Sequence, residues 1–224
     1  MKKLIIFGTG KIAEAVSFYF NRDSNFEICA YVCDSEFIQG KNFLGKRVIA
    51  TEDVEAIYAA SECSVFVAVG YQGMNSVRTE KVEYFKGLGY QLANYASPNV
   101  KGEFSIGENS IVMDDAVIQP CVKIGSNVFI WGGAMIGHHA EIRDNCWVTG
   151  SCAIGGLVVL GNGSFVGLNA TIANEVMIGK STMIGAGTLC CRSINENSVL
   201  VAKETESHRL NSQQFIRLSS CFRT

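Results

Sequence analysis

Residues 136–155 decide the fold, and they read IGHHAEIRDNCWVTGSCAIG. Within this stretch an aliphatic residue recurs every six positions. The spacing continues without a break in both directions, and the full series is Ile106, Val112, Ile118, Ile124, Ile130, Ile136, Ile142, Val148, Ile154, Leu160, Val166, Ile172, Ile178 and Ile184. A fixed short period sustained over about 80 residues is the signature of a repeat architecture.

Two neighbouring positions of the hexad repeat as well. The residue two places before each aliphatic one is small, as at Ala134, Ala140 and Cys146, and the residue after it is often glycine, as at Gly137 and Gly155. One large and one small apolar position in six residues predict a triangular parallel β-helix with three hexads per coil. The aliphatic side chain would point inward from each strand, and the small one would fit near a corner. An ordinary β-sandwich is the alternative, but its strands do not repeat at a fixed length.

Composition narrows the class of protein. The 224 residues include 19 Lys and Arg against 21 Asp and Glu, a formal net charge of −2, which gives no basic footprint for nucleic acid. No apolar run approaches the roughly 18 residues of a membrane span, and the run Leu4–Phe7 is too short for a signal peptide. We therefore expect a cytoplasmic protein that binds no nucleic acid and has no membrane span. Cys146 and Cys152 occupy small inward positions, where a thiol is a compact apolar filler, so we expect no metal.

Residues 1–97 follow a different pattern, in which strands and helices alternate. This alternation predicts a parallel sheet with right-handed crossovers, about half of a Rossmann dinucleotide-binding domain. The predicted strands are Leu4–Phe7, Phe26–Cys33, Arg47–Ala50, Val65–Val69 and Tyr90–Ala93, and the predicted helices are Ile12–Phe20, Glu52–Ala60 and Asn75–Leu88.

A glycine motif lies between the first predicted strand and helix. Gly8, Gly10 and Lys11 belong to a G-x-G-x-x-A variant of the dinucleotide fingerprint, a context in which backbone amides and the helix dipole receive a phosphate. Asp34 ends the second strand, in reach of a ribose or a base. Taken alone, this is a weak signal for NAD.

The next candidates follow the strand Val65–Val69. Gly70 and Tyr71 would lie at the carboxyl edge of the sheet, where open α/β folds bind ligands. Asn75 and Arg78 come next on a helix. The Arg78 guanidinium is equally compatible with a phosphate contact and with a solvated helix charge.

The hexads, the half-Rossmann domain and the run Ile136-Gly137-His138-His139 together resemble the bacterial nucleotide-sugar acyltransferases. These are left-handed β-helix enzymes of surface-glycan biosynthesis, such as the bacillosamine- and perosamine-type N-acetyltransferases and the sialic acid O-acetyltransferase-like group. The resemblance implies an α/β half-Rossmann domain at 1–97 that anchors a nucleotide-linked sugar, a left-handed parallel β-helix at 98–202 and a C-terminal cap at 203–224. It also implies a homotrimer with active sites between subunits.

The resemblance assigns the chemistry to histidine. It places the general base on His138, and a side chain with a pKa near 6.5 suits the removal of a proton from an attacking amine or hydroxyl. His139 stands where relatives often have a carboxylate that orients the base, so its role as the orienting group is open. His208 lies in a polar C-terminal stretch and is interpreted as a bystander.

The acyl donor implied by the resemblance is acetyl-CoA, lying in the groove between two β-helices. The Gly156 amide, beside Gly155, would hold the thioester carbonyl, and the Ala186 amide would meet the pantetheine arm. Trp147 aligns with a second family histidine that contacts the cofactor, and Trp131 stands where some relatives have an asparagine facing the acceptor sugar. For both tryptophans, packing between subunits is an equal alternative.

Several functions stay open at this point. The acceptor is expected to be a sugar amine, with a sugar hydroxyl as the alternative. A γ-type carbonic anhydrase-like hydratase shares the helix but needs three zinc histidines, whereas His138 and His139 are the only two in the repeats. A non-catalytic nucleotide-sugar-binding protein is the remaining alternative, because of Trp131, His139 and Trp147. Ser207–Leu218 is expected to form a helix that caps the open end of the solenoid.

Overall fold

The computed structural model describes residues 1–218, and its first part is a six-stranded sheet. The strands are β1 (Lys2–Phe7), β2 (Phe26–Cys33), β3 (Asn42–Phe43), β4 (Lys46–Ala50), β5 (Cys63–Val67) and β6 (Gln91–Leu92), and the helices are α1 (Lys11–Asp23), α2 (Val54–Ile57) and α3 (Ser76–Gly87). The strand order is β3-β4-β2-β1-β5-β6. All pairs are parallel except β3 with β4, so the predicted half-Rossmann topology is confirmed.

The second part is a parallel β-helix with three faces, on which stacked strands lie 18 residues apart except at the two ends of face I, where the spacing is 16. Face I consists of Tyr95–Ala96, Ile111–Val112, Phe129–Ile130, Trp147–Val148, Phe165–Val166, Met183–Ile184 and Val199–Leu200. Face II consists of Val117–Ile118, Met135–Ile136, Ala153–Ile154, Thr171–Ile172 and Leu189–Cys190. Face III consists of Phe104–Ile106, Val122–Ile124, Glu141–Ile142, Val159–Leu160 and Met177–Ile178. The predicted fold class, an α/β domain followed by a left-handed parallel β-helix, is confirmed.

The interior of the β-helix is built from the two apolar positions of the hexad. The aliphatic residues from Val112 to Ile184 are all buried, and the small residues before them fill the space near the corners. Ile106 alone of the fourteen is only partly buried. Cys146, Cys152 and Cys190 lie in this interior as predicted, and burial raises the pKa of the Cys146 thiol to about 12.

The chain turns between faces through a left-handed backbone conformation. The turn from face II to face III is called here the second corner, and its residues with positive φ are Cys121, His139, Leu157 and Glu175. The turn from face III to face I is called the third corner, and it uses Asn109, Asn127, Asn145 and Gly163 at the equivalent position. Asparagine and glycine tolerate this conformation at low cost, whereas His139 and Leu157 adopt it against steric preference.

The N-terminal domain packs on face I. The outward side chains of that face form a column of large apolar residues, Tyr95, Ile111, Phe129, Trp147 and Phe165. This column joins the inner side of the α/β sheet in one hydrophobic cluster, which includes Phe20 and Phe66. The two domains therefore share a core.

A buried arginine fastens helix α3 to the third corner. Arg78 is 0% exposed; its Nε donates to Asn127 Oδ1 at 2.8 Å, and its Nη1 donates to the Gly70 carbonyl at 3.2 Å. The guanidinium also lies over the rings of Phe129 and Trp147. Both sequence interpretations of Arg78, a phosphate contact and a solvated charge, are therefore wrong, because the side chain is enclosed by protein. Burial lowers its pKa, but a guanidinium titrates far above neutrality and stays charged.

Most predicted element bounds shift by one to three residues, and two differences stand out. The helix expected at Glu52–Ala60 is a 3₁₀ turn, Thr51–Asp53, followed by the single turn of α2, because Tyr58 takes an extended conformation. The β-helix begins at Tyr95–Ala96, which pairs with Ile111–Val112, rather than at residue 98.

The C-terminal cap also differs from the prediction. The helix expected at Ser207–Leu218 is α4 (Ser212–Leu218), and none of its residues is buried. It therefore does not cover the end of the solenoid, where Leu200 packs against the interior instead. The remainder of the predicted cap, 219–224, lies outside the described residues.

Candidate active site

The two histidines of the repeats lie together at the second corner, and both are exposed. The coil before them fixes their backbone. The His138 amide donates to Gln119 Oε1 at 2.8 Å, and the His139 amide donates to the Pro120 carbonyl at 3.1 Å. The β-helix thus sets the direction in which both imidazoles leave the corner.

The two imidazoles contact each other through one nitrogen apiece. His138 Nδ1 and His139 Nδ1 are 3.2 Å apart, with the rings in an edge-to-face arrangement. One of the two must carry the shared proton, and a proton on His138 Nδ1 leaves its Nε2 with a free lone pair. Within residues 1–218, His138 Nε2 makes no hydrogen bond. The contact holds the two rings against each other, and the tautomer with the proton on His138 Nδ1 is the one that would leave Nε2 able to accept a proton.

Gly156, one coil further on, lies directly against the His138 ring. A β-carbon on Gly156 would lie 2.8 Å from His138 Nε2, so only glycine leaves the ring in this place. Gly155 next to it is crowded by Asn174 instead, since its β-carbon would lie 2.5 Å from Asn174 Oδ1 and 2.6 Å from the Asn174 backbone nitrogen. The two glycines predicted to flank the thioester therefore have different neighbours.

The Gly156 amide is already engaged. It donates to Asn174 Oδ1 at 2.8 Å, so in this structure it is not available to a thioester carbonyl as the sequence prediction assumed. Ala186, the predicted pantetheine contact, is exposed, and its amide makes no hydrogen bond within the described chain. Asn174 went unnoticed in the sequence, although it stands one coil period of 18 residues after Gly156.

The predicted aromatic contacts lie elsewhere in the fold. The Trp147 side chain is 2% exposed and stacks on Phe129 with ring centroids 4.6 Å apart. Its indole is enclosed between the domains, so it does not reach the surface where a cofactor would bind. Tyr71 packs on Phe165 and Trp147, and half-buried Trp131 joins the same cluster, with a buried Nε1 that has no partner in the described chain.

The glycine motif of the N-terminal domain opens into a cleft of about 540 Å³ at the carboxyl ends of the parallel strands. Five of the predicted nucleotide-sugar contacts line it, namely Gly8, Gly10, Lys11, Asp34 and Gly70. Gly8 has φ +121°, and a β-carbon there would lie 2.8 Å from the Ala68 carbonyl oxygen. The glycine thus keeps the strand-to-helix turn tight, as the motif requires.

One charged residue of this cleft was missed from the sequence. Lys81 on α3 lines the cleft, and its Nζ lies 2.8 Å from the Asp34 carboxylate, which also accepts a hydrogen bond from Thr51 Oγ1. The Lys11 ammonium, by contrast, pairs with Glu14 at the surface. The helix charge pattern alone did not distinguish Lys81 from solvated lysines.

The cleft and the histidine pair do not meet within one chain. The N-terminal domain covers face I, while His138 and His139 lie at the second corner, where faces II and III meet. In residues 1–218, no group of three or more His, Cys, Asp or Glu side chains is placed to hold a metal ion. None of the described helices has the length and apolar character needed to span a bilayer.

This combination of domains defines a class of fold. The profile of the bacterial transferase hexapeptide family (six repeats) matches residues 105–138, and that of the C2185-like N-terminal family matches residues 1–58. The chain has the fold of the hexapeptide-repeat nucleotide-sugar acetyltransferases, so the resemblance drawn from the sequence is confirmed at the level of fold. No curated protein is significantly similar in sequence.

Particular solved structures share this fold over nearly their whole length. The acetyltransferase domain of PglB from Neisseria gonorrhoeae is 22% identical, with a TM-score of 0.79 over 89% of this chain and 96% of that one. A His-to-Asn mutant of perosamine N-acetyltransferase from Caulobacter crescentus, solved with CoA and GDP-perosamine, is 23% identical (TM-score 0.80; 89% and 93%). WeeI from Acinetobacter baumannii is 19% identical (TM-score 0.76; 90% and 97%).

Proposed function

We propose that this chain transfers an acetyl group from acetyl-CoA to the amino group of a nucleotide-linked sugar. The observation that carries the proposal is the histidine pair, in which His139 Nδ1 engages His138 Nδ1 and leaves His138 Nε2 open at the surface. Among the proteins of this fold, one was solved with CoA and GDP-perosamine, a substrate pair of the same chemical class.

The reaction asks two things of the chain. His138 Nε2 takes a proton from the sugar amine as its nitrogen attacks the thioester carbon, and a hydrogen-bond donor stabilises the oxyanion that results. The thioester is already activated, so no metal is required by this chemistry. When the intermediate collapses, the C–S bond breaks and the CoA thiolate takes up the proton.

The substrate anchor in this proposal is the cleft of the N-terminal domain. The free amide groups at the start of α1, whose first residue follows Gly10 without a side-chain cap, suit the pyrophosphate. Asp34 and Lys81 at the far side of the cleft offer an acceptor and a donor to the nucleoside.

The site is completed by a second copy of the chain in this proposal. Because the cleft lies beside face I and the histidines lie at the second corner, a bound sugar reaches a histidine of a neighbouring subunit. A homotrimer with cyclic symmetry would form three such sites. We place the enzyme in cytoplasmic synthesis of precursors for surface glycans, where both substrates are found.

The test compares wild type with His138→Ala and His208→Ala, using acetyl-CoA and a panel of UDP-, dTDP- and GDP-linked 4-amino sugars including GDP-perosamine. CoA release is followed by chromatography, because exposed Cys121 and Cys191 would react with thiol dyes. We expect His138→Ala to lower kcat by about 10²- to 10⁴-fold and His208→Ala to leave it unchanged. Unchanged turnover in His138→Ala would contradict the proposal.

One further function has a specific observation in its favour. The capped Gly156 amide and a second histidine in place of an orienting carboxylate favour a nucleotide-sugar-binding protein without activity. A protein of that kind would bind a nucleotide sugar but release no CoA with any nucleotide sugar of the panel. An O-acetyltransferase would acetylate a hydroxyl, and mass spectrometry with mild alkaline treatment separates an ester product from an amide.

A further inference from the structure

Asn174 occupies the column of the β-helix that contains His138 and Gly156. The three residues follow one another at intervals of 18, so they lie on consecutive coils of the second corner. Parallel strands stack about 4.8 Å apart, which keeps the three side chains within one substrate's reach. The inference below rests on the proposed acetyl transfer.

The Asn174 carboxamide is held in one orientation. Its Oδ1 accepts the Gly156 amide proton at 2.8 Å, and this is the only hydrogen bond of that amide. Since Oδ1 faces Gly156, Nδ2 points away from it. Asn174 is exposed, and within residues 1–218 its Nδ2 donates to no acceptor. The structure thus offers two free N–H bonds two coils along the corner from the histidine, while the backbone amide on the coil between them is occupied.

We propose that Asn174 Nδ2, supported by the Gly156 amide, is the donor that stabilises the oxyanion. As the amine nitrogen bonds to the thioester carbon, the π electrons of the C=O bond move to oxygen, and this oxygen accepts a hydrogen bond from Nδ2. Collapse restores the C=O bond, breaks the C–S bond and yields the amide product and CoA thiol. The Gly156 N–H polarises the carboxamide through Oδ1 and strengthens its donor. Side-chain amides perform this role in other acyl-transfer enzymes.

The test uses Asn174→Ala and Asn174→Asp in the full chain, with Asp144→Ala as the matched control. Asp144 Oδ1 accepts the Ser126 amide at 2.8 Å, the same coil-to-coil cap at a corner without histidine. We expect Asn174→Ala to lower kcat by at least tenfold, with the KM of the sugar changed less than threefold. This fall in kcat is smaller than the roughly 10²- to 10³-fold fall that follows complete removal of an oxyanion donor. The reason is that the freed Gly156 amide takes over part of the oxyanion stabilisation. Asn174→Asp keeps the cap on Gly156 but has no donor, so it should lose more, while Asp144→Ala should keep wild-type kcat.

A different result overturns the inference without touching the proposed function. If wild type turns over and His138→Ala does not, but Asn174→Ala retains or exceeds wild-type kcat, then Asn174 is only a cap and the Gly156 amide serves the oxyanion. A second readout is binding without the sugar, by titration with acetyl-CoA and with CoA. Wild type should prefer acetyl-CoA, and Asn174→Ala should lose that preference; equal preference in both proteins also overturns the inference. If wild type neither turns over nor binds acetyl-CoA, both proposals fail.

Discussion

His138 Nε2 lies 2.8 Å from the point where a β-carbon on Gly156 would be. One methyl group at Gly156 must therefore displace the proposed base. The imidazole is exposed and can rotate, so the clash is relieved at the cost of the ring's position rather than of the fold. We expect Gly156→Ala to lower kcat by about 10²-fold, a loss in the range for a misplaced catalytic group, with Tm close to wild type.

Gly161→Ala is the matched control for this prediction, because Gly161 follows an inward aliphatic residue of the same β-helix but lies away from the histidine corner. The atoms nearest to its added methyl are all backbone, the closest being the Lys180 nitrogen at 2.6 Å, where no side chain can move aside. We expect the opposite pattern for the control, a clear fall in Tm with little change in kcat per folded molecule. Thermal unfolding and steady-state kinetics on both variants check the pair, and equal Tm losses would count against the contact with His138.

Lys81 should contribute to nucleotide binding. Its ammonium lies in the cleft at 2.8 Å from Asp34, and Lys81→Ala removes the cation while leaving the carboxylate to repel phosphate. We expect the KM for the nucleotide sugar to rise by about tenfold, with the KM for acetyl-CoA unchanged, since one charge-assisted contact contributes about 1.5–3 kcal/mol. Lys2→Ala, at the opposite end of β1, is the control and should alter neither constant.

Arg78 should dominate the attachment of the N-terminal domain. Replacement by methionine keeps an apolar stem over Phe129 but leaves the backbone carbonyls of Gly70 and Asn127 without their donor in a buried place. Each abandoned acceptor costs about 1–3 kcal/mol, so we expect the free energy of unfolding to fall by about 3 kcal/mol or more. Urea denaturation measures the difference, with exposed Glu83→Ala on the same helix as the control. A loss below about 1 kcal/mol in the free energy of unfolding would show that the guanidinium does not hold helix α3 against the β-helix.

Asp114 should make stability depend on pH in the acid range. The Arg22 guanidinium and the Ser97 hydroxyl hold the pKa of this carboxyl at about 2, below its ordinary 3.8. A depressed pKa in the folded state stabilises the fold above about pH 4, and the contribution disappears as pH falls through 4 toward 2. We expect Asp114→Asn to lower Tm at pH 7 and to flatten the Tm curve between pH 4 and 2. Asp115→Asn, exposed and next in sequence, should leave the curve unchanged.

Most of the fold could be predicted from the sequence because each hexad position has one physical role. The aliphatic residue of each hexad faces inward, so the six-residue spacing cannot shift along the stack. The shortness of helix α2 could not be predicted, because its end depends on contacts such as the one between the Tyr90 hydroxyl and the Tyr58 carbonyl. Helical pattern alone carries no information on such contacts.

The site could be predicted only in part. His138 and Gly156 were found by resemblance, and they do lie in contact. Trp147 was assigned to the cofactor by the resemblance, whereas the structure encloses its side chain between the domains. Comparison at 18 residues shows an outward apolar column at Ile111, Phe129, Trp147 and Phe165, which would have predicted that this face is covered. Asn174 stands in the equivalent column at the second corner, and the same comparison would have found it.

The stacking of columns at 18-residue intervals limits how the chain can change its length. Loss of a single residue from a corner would rotate every later side chain by one place, carrying inward aliphatics to the surface and separating His138 from Gly156 and Asn174. Removal or duplication of a whole coil preserves every contact except those at the junction. We therefore expect this protein to tolerate insertions and deletions in units of one coil, which keep His138, Gly156 and Asn174 in one column.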